Sequence, residues 1–188
     1  IKVTIRNKHK ENFAKPAIII CNHQSHRDLM VHLSLKKKIV FLTNDWVWNS
    51  PFFGYVIHHA EYYPVSKGID YLLPRLKSLV ERGYSISIFP EGTRSMDCSI
   101  GRFHKGAFLL AEELGIDIIP LVLHGAGRAL PKKGIYMRRE PITLEIDRRI
   151  SPKELKALGD TLQDKSKWFR KYYKKRYSDL SNEIEQHV

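Results

Sequence analysis

Apolar and polar positions along the chain follow two different periods, which predict strands and helices in turn. Short apolar runs, either continuous or alternating with polar residues, are typical of strands. Such runs are KVTIR (2–6), AIIIC (17–21), KIVFL (38–42), YSISIF (84–89) and IDIIPLVLH (116–124). The first alternates like an edge strand, whereas the second is continuous enough for a strand that is buried on both faces. A later alternating segment, PITLEIDRRI (141–150), predicts a closing strand.

Helical periodicity separates these strands. Apolar residues recur on one helical face at Ile69, Leu72, Leu73, Leu76, Leu79 and Val80. Because proline disrupts a helix interior, Pro74 predicts that this helix begins near residue 73, and Gly83 marks its end. A second helix is predicted over 104–115, and Ser151, followed by Pro and Glu, predicts the start of another. Strands that alternate with helices indicate an α/β domain.

Composition narrows the classes of protein that fit. A chain of 188 residues with 43% hydrophobic residues is the size of one globular domain with a real core. None of its apolar runs approaches the roughly 20 residues that cross a bilayer. Cys21 and Cys98 have neither metal-ligand spacing nor the pattern of a disulfide framework, which favours a reducing setting. The missing initial Met leaves open that the chain is a fragment of a larger membrane-anchored protein.

The charge balance points to acidic partners. The chain has 32 Lys and Arg against 20 Asp and Glu, a formal charge of +12. An excess of this size favours nucleic acid, anionic lipid headgroups or phosphorylated substrates, without choosing among them.

Two polar segments follow predicted strands, where ligands gather in open α/β sheets. NHQSHRD follows AIII, and PEGTRS follows SISIF. In the first, His23 can take a proton near neutral pH, and Asp28 can hold its second ring nitrogen if a helix begins between them. In the second, Gly92 allows a ligand to approach the backbone closely, and Thr93 supplies a hydroxyl. The guanidinium of Arg94 is suited to bidentate hydrogen bonding with phosphate.

A His–Asp pair at this spacing is also common in sites that do not catalyse, and His26 is expected to cap or line its loop. Neither His23 with His26 nor His58 with His59 has a third ligand nearby, so no metal site is expected. The sequence also has no G-x-S-x-G elbow and no P-loop. A base without an enzyme nucleophile indicates direct activation of a substrate hydroxyl.

Taken together, the two segments resemble the glycerolipid acyltransferases, the family of 1-acylglycerol-3-phosphate acyltransferases. NHQSHRD resembles the family's N-H-x-x-x-x-D block, and FPEGTRS (89–95) resembles its second signature block. The stretch FHKGAFLLAEELGIDIIPLVL (103–123) is similar to the helix and strand that end in the family's proline-containing fourth block. The resemblance covers about residues 5–130.

The resemblance implies a reaction and a set of roles. The family moves an acyl group from a thioester, on coenzyme A or acyl carrier protein, to a hydroxyl of a glycerol-type lipid, without a further cofactor. His23 would deprotonate the acceptor hydroxyl, and Asp28 would orient His23. Backbone amides around Gly92 would face the oxyanion, while Glu91, Thr93 and Arg94 would bind the acceptor headgroup.

One block departs from the family's pattern. Between the two signatures the family has an aromatic residue, two further residues and then an Arg that binds the acceptor phosphate. Here the segment reads EYYPVSKG (61–68), with Ser66 at the Arg position and Lys67 beside it. Lys67 can supply the charge, though not a bidentate fork. A lysolipid with another headgroup, including an amino-acid-type one, therefore stays open as the acceptor.

Two further stretches have a structural and a functional interpretation each. The aromatic segment DWVWNSPFFGYVIHH (45–59) fits ordinary core or an amphipathic segment at the lipid interface. The tail KSKWFRKYYKKR (165–176) fits a helix packed on the domain with a solvated basic face, or attraction to anionic lipids. Nucleic acid is not expected, because no recognition motif accompanies the charge.

We therefore expect an acyltransferase-type α/β domain over 1–150, with a mixed, mainly parallel sheet flanked by helices. Residues 151–188 would form a C-terminal basic, amphipathic helical extension of the same domain. The expected function is O-acyl transfer from acyl-CoA or acyl carrier protein to a lysophospholipid. The expected location is peripheral, at an anionic membrane surface on its cytoplasmic face. The rival hypotheses are a lipid- or thioester-binding domain without catalysis, a basic module that binds nucleic acid or a partner, and N-acylation of an amine.

Overall fold

The fold is built on one mixed, mainly parallel sheet, as predicted. The computed structural model describes residues 2–25, 28–35, 38–43, 63–132 and 138–186. Seven strands lie within these ranges: β1 (Val3–Arg6), β2 (Ile18–Cys21), β3 (Ile39–Thr43), β4 (Tyr63–Pro64), β5 (Ser85–Ile88), β6 (Ile118–His124) and β7 (Ile142–Ile146). Their order in the sheet is β1-β7-β6-β2-β5-β3-β4. Neighbouring strands are parallel except β6 and β7, which run antiparallel.

Helices connect and cover the strands. Those in the described residues are, in chain order, α1 (Asp28–Leu35), α2 (Ile69–Glu81), α3 (Gly106–Leu114), α4 (Ala126–Ala129), α5 (Pro152–Ala157) and α6 (Leu162–Glu185), with a 3₁₀ turn at Val65–Lys67. Helix α2 packs against β5, α3 against β2, and α6 against β6. The central strand β2 is wholly buried, which agrees with its continuous apolar run. Within the described residues, no helix combines the length and apolarity that crossing a bilayer requires.

The start of α2 corrects the prediction from Pro74. The helix begins at Ile69, and Pro74 lies inside it rather than at its start. A proline there removes the hydrogen bond to the carbonyl of Asp70, one turn earlier. Both Asp70 and Pro74 are exposed, so the helix carries the proline on its solvent side. The predicted apolar face is confirmed, because Leu72, Leu76 and Leu79 are buried.

The alternating segment 141–150 also differs from the prediction. Its strand β7 is not the last in the sheet, because β1 pairs with it in parallel and occupies the edge. All five residues of β7 are buried. The polar residues of the pattern are covered rather than solvated, since the Glu145 carboxylate accepts a hydrogen bond from Arg176 of α6. A strand whose polar face meets a charged helix therefore has the pattern of a solvent-facing edge.

The C-terminal helices pack against the sheet. Ser151 caps α5 with a reciprocal bond to Glu154, as its sequence predicted. In α6, Phe169, Tyr173 and Leu180 are buried against the core. The exposed residues of this helix include Lys167, Lys171, Lys174 and Lys175. The tail is thus a helix packed on the domain with a basic face toward solvent.

Candidate active site

The two polar segments meet at the carboxyl edge of the sheet. Strands β2 and β5 are parallel neighbours, with Ile20 opposite Ile88, so the chain leaves both at the same level. The backbone N–H of Ser95 donates to the carbonyl of His23 over 2.8 Å, which fastens one loop to the other. Residues that are far apart in the sequence therefore form one site.

His23 and Asp28 form a hydrogen-bonded pair. The Nδ1 atom of His23 lies 2.8 Å from Oδ2 of Asp28. Asp28 is the first residue of α1 and has no exposed surface. The same Oδ2 accepts the backbone N–H groups of Gln24, at 2.7 Å, and Ser25, at 2.9 Å. The aspartate thus fixes both the loop and the imidazole, as the predicted turn into a helix required.

Asn22, which precedes the catalytic candidate, has a structural role. Its side chain donates to the carbonyl of Leu123 and accepts the N–H of Leu123, each over 2.8 Å. Asn22 therefore continues the pairing of β2 with β6 beyond the last residue of β2. This pair of bonds sets the point at which the chain leaves the sheet and so where His23 begins.

The imidazole of His23 is also held by aromatic packing. Its ring stacks on Phe89, with centroids 4.1 Å apart and planes 19° apart. A second histidine, His32 of α1, packs against the same phenyl ring at 5.2 Å. His32 is fully buried, and its Nδ1 lies 2.7 Å from the Ser87 hydroxyl. Burial, followed by the nearby charge of His23, lowers the pKa of His32 to about 3.

The buried Glu91 side chain links the two loops through hydrogen bonds. One carboxylate oxygen accepts the N–H of His23 and the other accepts the N–H of Gly101, both at 3.3 Å. The residue is only 6% exposed. Burial raises its pKa to about 7, against the opposing effect of these two amides, and the charge of Asp28 raises it further. The predicted contact of Glu91 with the acceptor headgroup stays a prediction.

Gly92 occupies a position that disfavours other residues. Its φ of 67° lies in the left-handed region, and a Cβ there would come within 3.3 Å of His104. The N–H of Gly92 donates to the carbonyl of Phe89 over 3.0 Å and closes a turn. That amide is therefore engaged in the turn, and the role of the amides around Gly92 as oxyanion donors stays a prediction.

Lys132, which the sequence did not single out, holds the next two residues. Its ammonium donates to the Thr93 hydroxyl over 2.9 Å and to the carbonyl of Arg94 over 2.8 Å. Arg94 is half-buried, and its guanidinium has no hydrogen-bond or ion-pair partner among the described residues. The sequence around Lys132 does not indicate these contacts, because only the fold brings the lysine close to the FPEGTRS loop.

Lys67 lies at the same edge of the sheet but farther along it. It ends the 3₁₀ turn that follows β4, and it is exposed. Strand β3 separates β4 from β5, so Lys67 is placed two strands away from the FPEGTRS loop. His26, Arg27 and the aromatic segment 45–59 lie outside the described residues. Within the part that is described, no three His, Cys, Asp or Glu residues are grouped as metal ligands.

The chain is similar in sequence to known acyltransferases. The chloroplastic 1-acyl-sn-glycerol-3-phosphate acyltransferase LPAT1 of Arabidopsis thaliana is 35% identical over 121 residues, 62% of this chain and 34% of that protein. The 1-acyl-sn-glycerol-3-phosphate acyltransferase of Cocos nucifera is 31% identical over 136 residues, 69% of this chain and 44% of that protein. The chain thus spans between a third and a half of the length of these curated relatives.

The fold has a counterpart among solved structures. The crystal structure of the 1-acyl-sn-glycerophosphate acyltransferase PlsC from Thermotoga maritima superposes with a TM-score of 0.73 and 21% identity, over 95% of this chain and 72% of that chain. A sequence model described as Acyltransferase matches residues 2–124, which include both loops and the strands that carry them. The chain belongs to the Acyltransferase family.

Proposed function

We propose that this chain transfers a fatty acyl group from an acyl thioester to the free hydroxyl of 1-acylglycerol-3-phosphate, with His23 as the general base. The observation that carries the proposal is the hydrogen bond between His23 Nδ1 and the buried Asp28 carboxylate. It leaves Nε2, which has no partner among the described residues, as the nitrogen for a substrate proton. The relatives named as 1-acylglycerol-3-phosphate acyltransferases support the choice of acceptor.

The reaction needs no covalent acyl-enzyme, because the thioester is already activated. His23 Nε2 takes the proton as the acceptor oxygen attacks the thioester carbonyl. The tetrahedral intermediate then expels the thiolate, which takes the proton back from the imidazolium. Asp28 keeps Nδ1 protonated and stabilises the imidazolium between these steps. A positioned base of this kind contributes typically ~10²–10⁴-fold to the rate.

Charge stabilisation would come from the FPEGTRS loop. The amides around Gly92 would face the oxyanion, and one such donor is worth on the order of 3 kcal/mol. The guanidinium of Arg94 and the hydroxyl of Thr93 would bind the acceptor phosphate, with Lys67 as a further cation. The donor would be acyl-CoA or acyl carrier protein, since no observation distinguishes the two carriers.

The acceptor headgroup has one alternative with a specific observation behind it. Ser66 stands where the family's pattern has an Arg that binds phosphate. A single exposed lysine beside it lacks the fork geometry of a guanidinium. A lysolipid built on an amino acid rather than on glycerol phosphate is therefore the second candidate acceptor.

A lipid surface is the proposed partner of this edge of the sheet. Large apolar side chains are exposed on α1, after β4 and in the FPEGTRS loop region: Met30 at 69%, Leu33 at 41%, Val65 at 45% and Met96 at 56%. The exposed lysines of α6 would add attraction to anionic lipids, roughly 1 kcal/mol per basic residue near the surface. We place this association, as part of the proposal, at the cytoplasmic face of a membrane.

Thiol release from long-chain acyl-CoA tests the function, with and without lysophosphatidic acid in mixed micelles. We expect acceptor-dependent release by the wild type and none by His23→Ala, with circular dichroism showing that the variant folds. Acceptor-independent release would instead indicate a thioesterase. An absence of release with acyl-CoA and acyl carrier protein, across acceptors that include amino-acid lysolipids, would favour a binding domain without catalysis.

A further inference from the structure

Gln24 joins the catalytic pair to the C-terminal helix. Its backbone N–H donates to Oδ2 of Asp28 over 2.7 Å, and its side-chain Nε2 donates to the Tyr177 hydroxyl over 2.9 Å. Gln24 is 1% exposed, so water does not compete for either bond. The residue that follows His23 is thus fixed at one end by the catalytic carboxylate and at the other by α6.

The bond to Tyr177 is the shortest that the Gln24 side chain makes. Nε2 also donates to the carbonyl of Cys98, and Oε1 accepts the N–H of Gly127, each over 3.4 Å. Gly127 packs closely on this residue, since a Cβ on Gly127 would come within 3.2 Å of Gln24 Cβ and within 2.6 Å of Cys98 Sγ. Loss of the Tyr177 hydroxyl therefore leaves a buried amide with only a weak partner.

The helix that carries Tyr177 is itself anchored to the strand before the site. One turn earlier, the buried Tyr173 donates its hydroxyl hydrogen to the carbonyl of Ile20 over 2.7 Å. Two hydroxyls of α6, spaced four residues apart, thus bond β2 and the loop that follows it. The position of Tyr177 relative to β2 is consequently set by the packing of the helix and not by its own side chain alone.

We propose that Tyr177 is a positioning residue for the reaction. Its hydroxyl fixes Gln24, the Gln24 amide fixes the Asp28 carboxylate, and Asp28 sets the tautomer and direction of the His23 ring. This inference rests on the proposed function. The family match ends at residue 124, so α6 lies outside the segment that the match covers and its role follows from this fold alone.

The test compares Tyr177→Phe with Tyr172→Phe in the full chain. Both variants remove one hydroxyl from α6, but the hydroxyl of Tyr172 bonds Asp147 at the end of β7, away from the site. We expect kcat of Tyr177→Phe to fall about three- to tenfold with KM unchanged, the effect of one neutral hydrogen bond. Tyr172→Phe should keep the wild-type kcat. Equal kcat values for the two variants, at matched thermal stability, would overturn the proposal.

A double-mutant cycle shows whether Tyr177 acts through Gln24. In a Gln24→Met background the link is already absent, so Tyr177→Phe should produce no further fall in kcat. Multiplicative losses in the double variant would mean that Tyr177 acts by another route, and the proposal would fail.

Hydrogen exchange tests the positioning role of Tyr177 independently of the proposed function. If the wild type transfers no acyl group, the function fails but the positioning can still be measured. The backbone N–H of Gln24 should exchange several-fold faster in Tyr177→Phe than in the wild type or in Tyr172→Phe, because its carboxylate partner is held less firmly. Identical exchange in all three proteins would contradict the inference whatever the enzyme assay shows.

Discussion

Phe89 lies against the imidazole of His23 with ring centroids 4.1 Å apart and an angle of 19° between the ring planes. The His23 side chain has one hydrogen bond in the described structure, from Nδ1 to Asp28. A single hydrogen bond does not by itself fix the tilt of the imidazole plane. The stack on Phe89 fixes this tilt and thereby the direction of Nε2.

Phe89→Leu should lower kcat without preventing folding. Leucine retains most of the apolar volume but loses the stack, which is worth about 0.5–1.5 kcal/mol for an aromatic pair. We expect kcat to fall about two- to tenfold, with a smaller change in KM, because ring orientation matters when the proton is transferred. Steady-state kinetics below the melting temperature test this. A loss that appears only in KM would show that Phe89 contacts substrate instead.

Glu91→Gln should change the pH dependence of stability. Burial raises the pKa of Glu91 from 4.5 to about 7, so the folded state favours its protonated form. The protonated carboxyl of Glu91 therefore stabilises the folded state fully below pH 4.5, and this stabilisation is lost as the pH rises to about 7. Urea unfolding across that window should show less loss with rising pH in Glu91→Gln than in the wild type. The exposed Glu113→Gln serves as the control and should follow the wild type.

His32→Asn should change the pH dependence of stability in the opposite direction. The pKa of His32 falls from 6.5 to about 3 in the fold, so the folded state favours neutral imidazole. Its contribution is present above pH 6.5 and is lost as the pH falls toward 3. Asparagine can keep the bond to Ser87 but does not titrate, so this variant should lose less stability in acid, measured by urea unfolding. Relative to the wild type, the two variants should change the pH slope in opposite directions, and equal slopes would contradict both assignments.

The sequence was sufficient for six of the seven strands in the described residues and for the pair that depends on local spacing. The two-residue strand β4 was missed, because it contains no apolar run. His23 and Asp28 lie on either side of a strand-to-helix turn, and short-range geometry alone brings them together. Continuous apolar runs predicted β2 and β6, since burial on both faces requires apolar residues. The strand β5 was predicted from an alternation of Ser and Ile, and its two serines are buried as well. The helix over 69–81 followed from its apolar face, although Pro74 displaced the predicted start.

The residues that were missed depend on contacts between distant segments. Lys132 reaches Thr93 across 39 positions, and Gln24 reaches Tyr177 across 153. His32 appears in the sequence as one polar residue in a helix, and only the packing of α1 on Phe89 shows that it is buried. No local pattern distinguishes such residues from ordinary surface lysines, glutamines or histidines.

Lys132→Met should weaken binding of an anionic acceptor. The lysine holds the hydroxyl of Thr93 and the carbonyl of Arg94, which set the position of the proposed phosphate-binding guanidinium. Hydrogen bonds from a charged donor are worth about 1.5–3 kcal/mol, so KM for lysophosphatidic acid should rise at least about tenfold. Activity toward an uncharged monoacylglycerol should change little. The exposed Lys153→Met removes the same charge from α5 and should leave both acceptors unaffected.

The exposed apolar residues of α1 should decide binding to a lipid surface. Met30 and Leu33 lie two and five residues beyond the catalytic candidate Asp28, and both are exposed, at 69% and 41%. Replacing both by Glu adds two negative charges and removes side chains whose full burial is worth about 1.5–3 kcal/mol each. Co-sedimentation with anionic vesicles should fall at least about tenfold, while turnover of a short-chain, soluble acceptor persists. Val3 and Ile5 of the edge strand β1 are similarly exposed, at 43% and 46%, and the same double replacement there is the matched control. If both pairs lose binding equally, the net charge of the chain rather than the face beside the site holds it on the lipid.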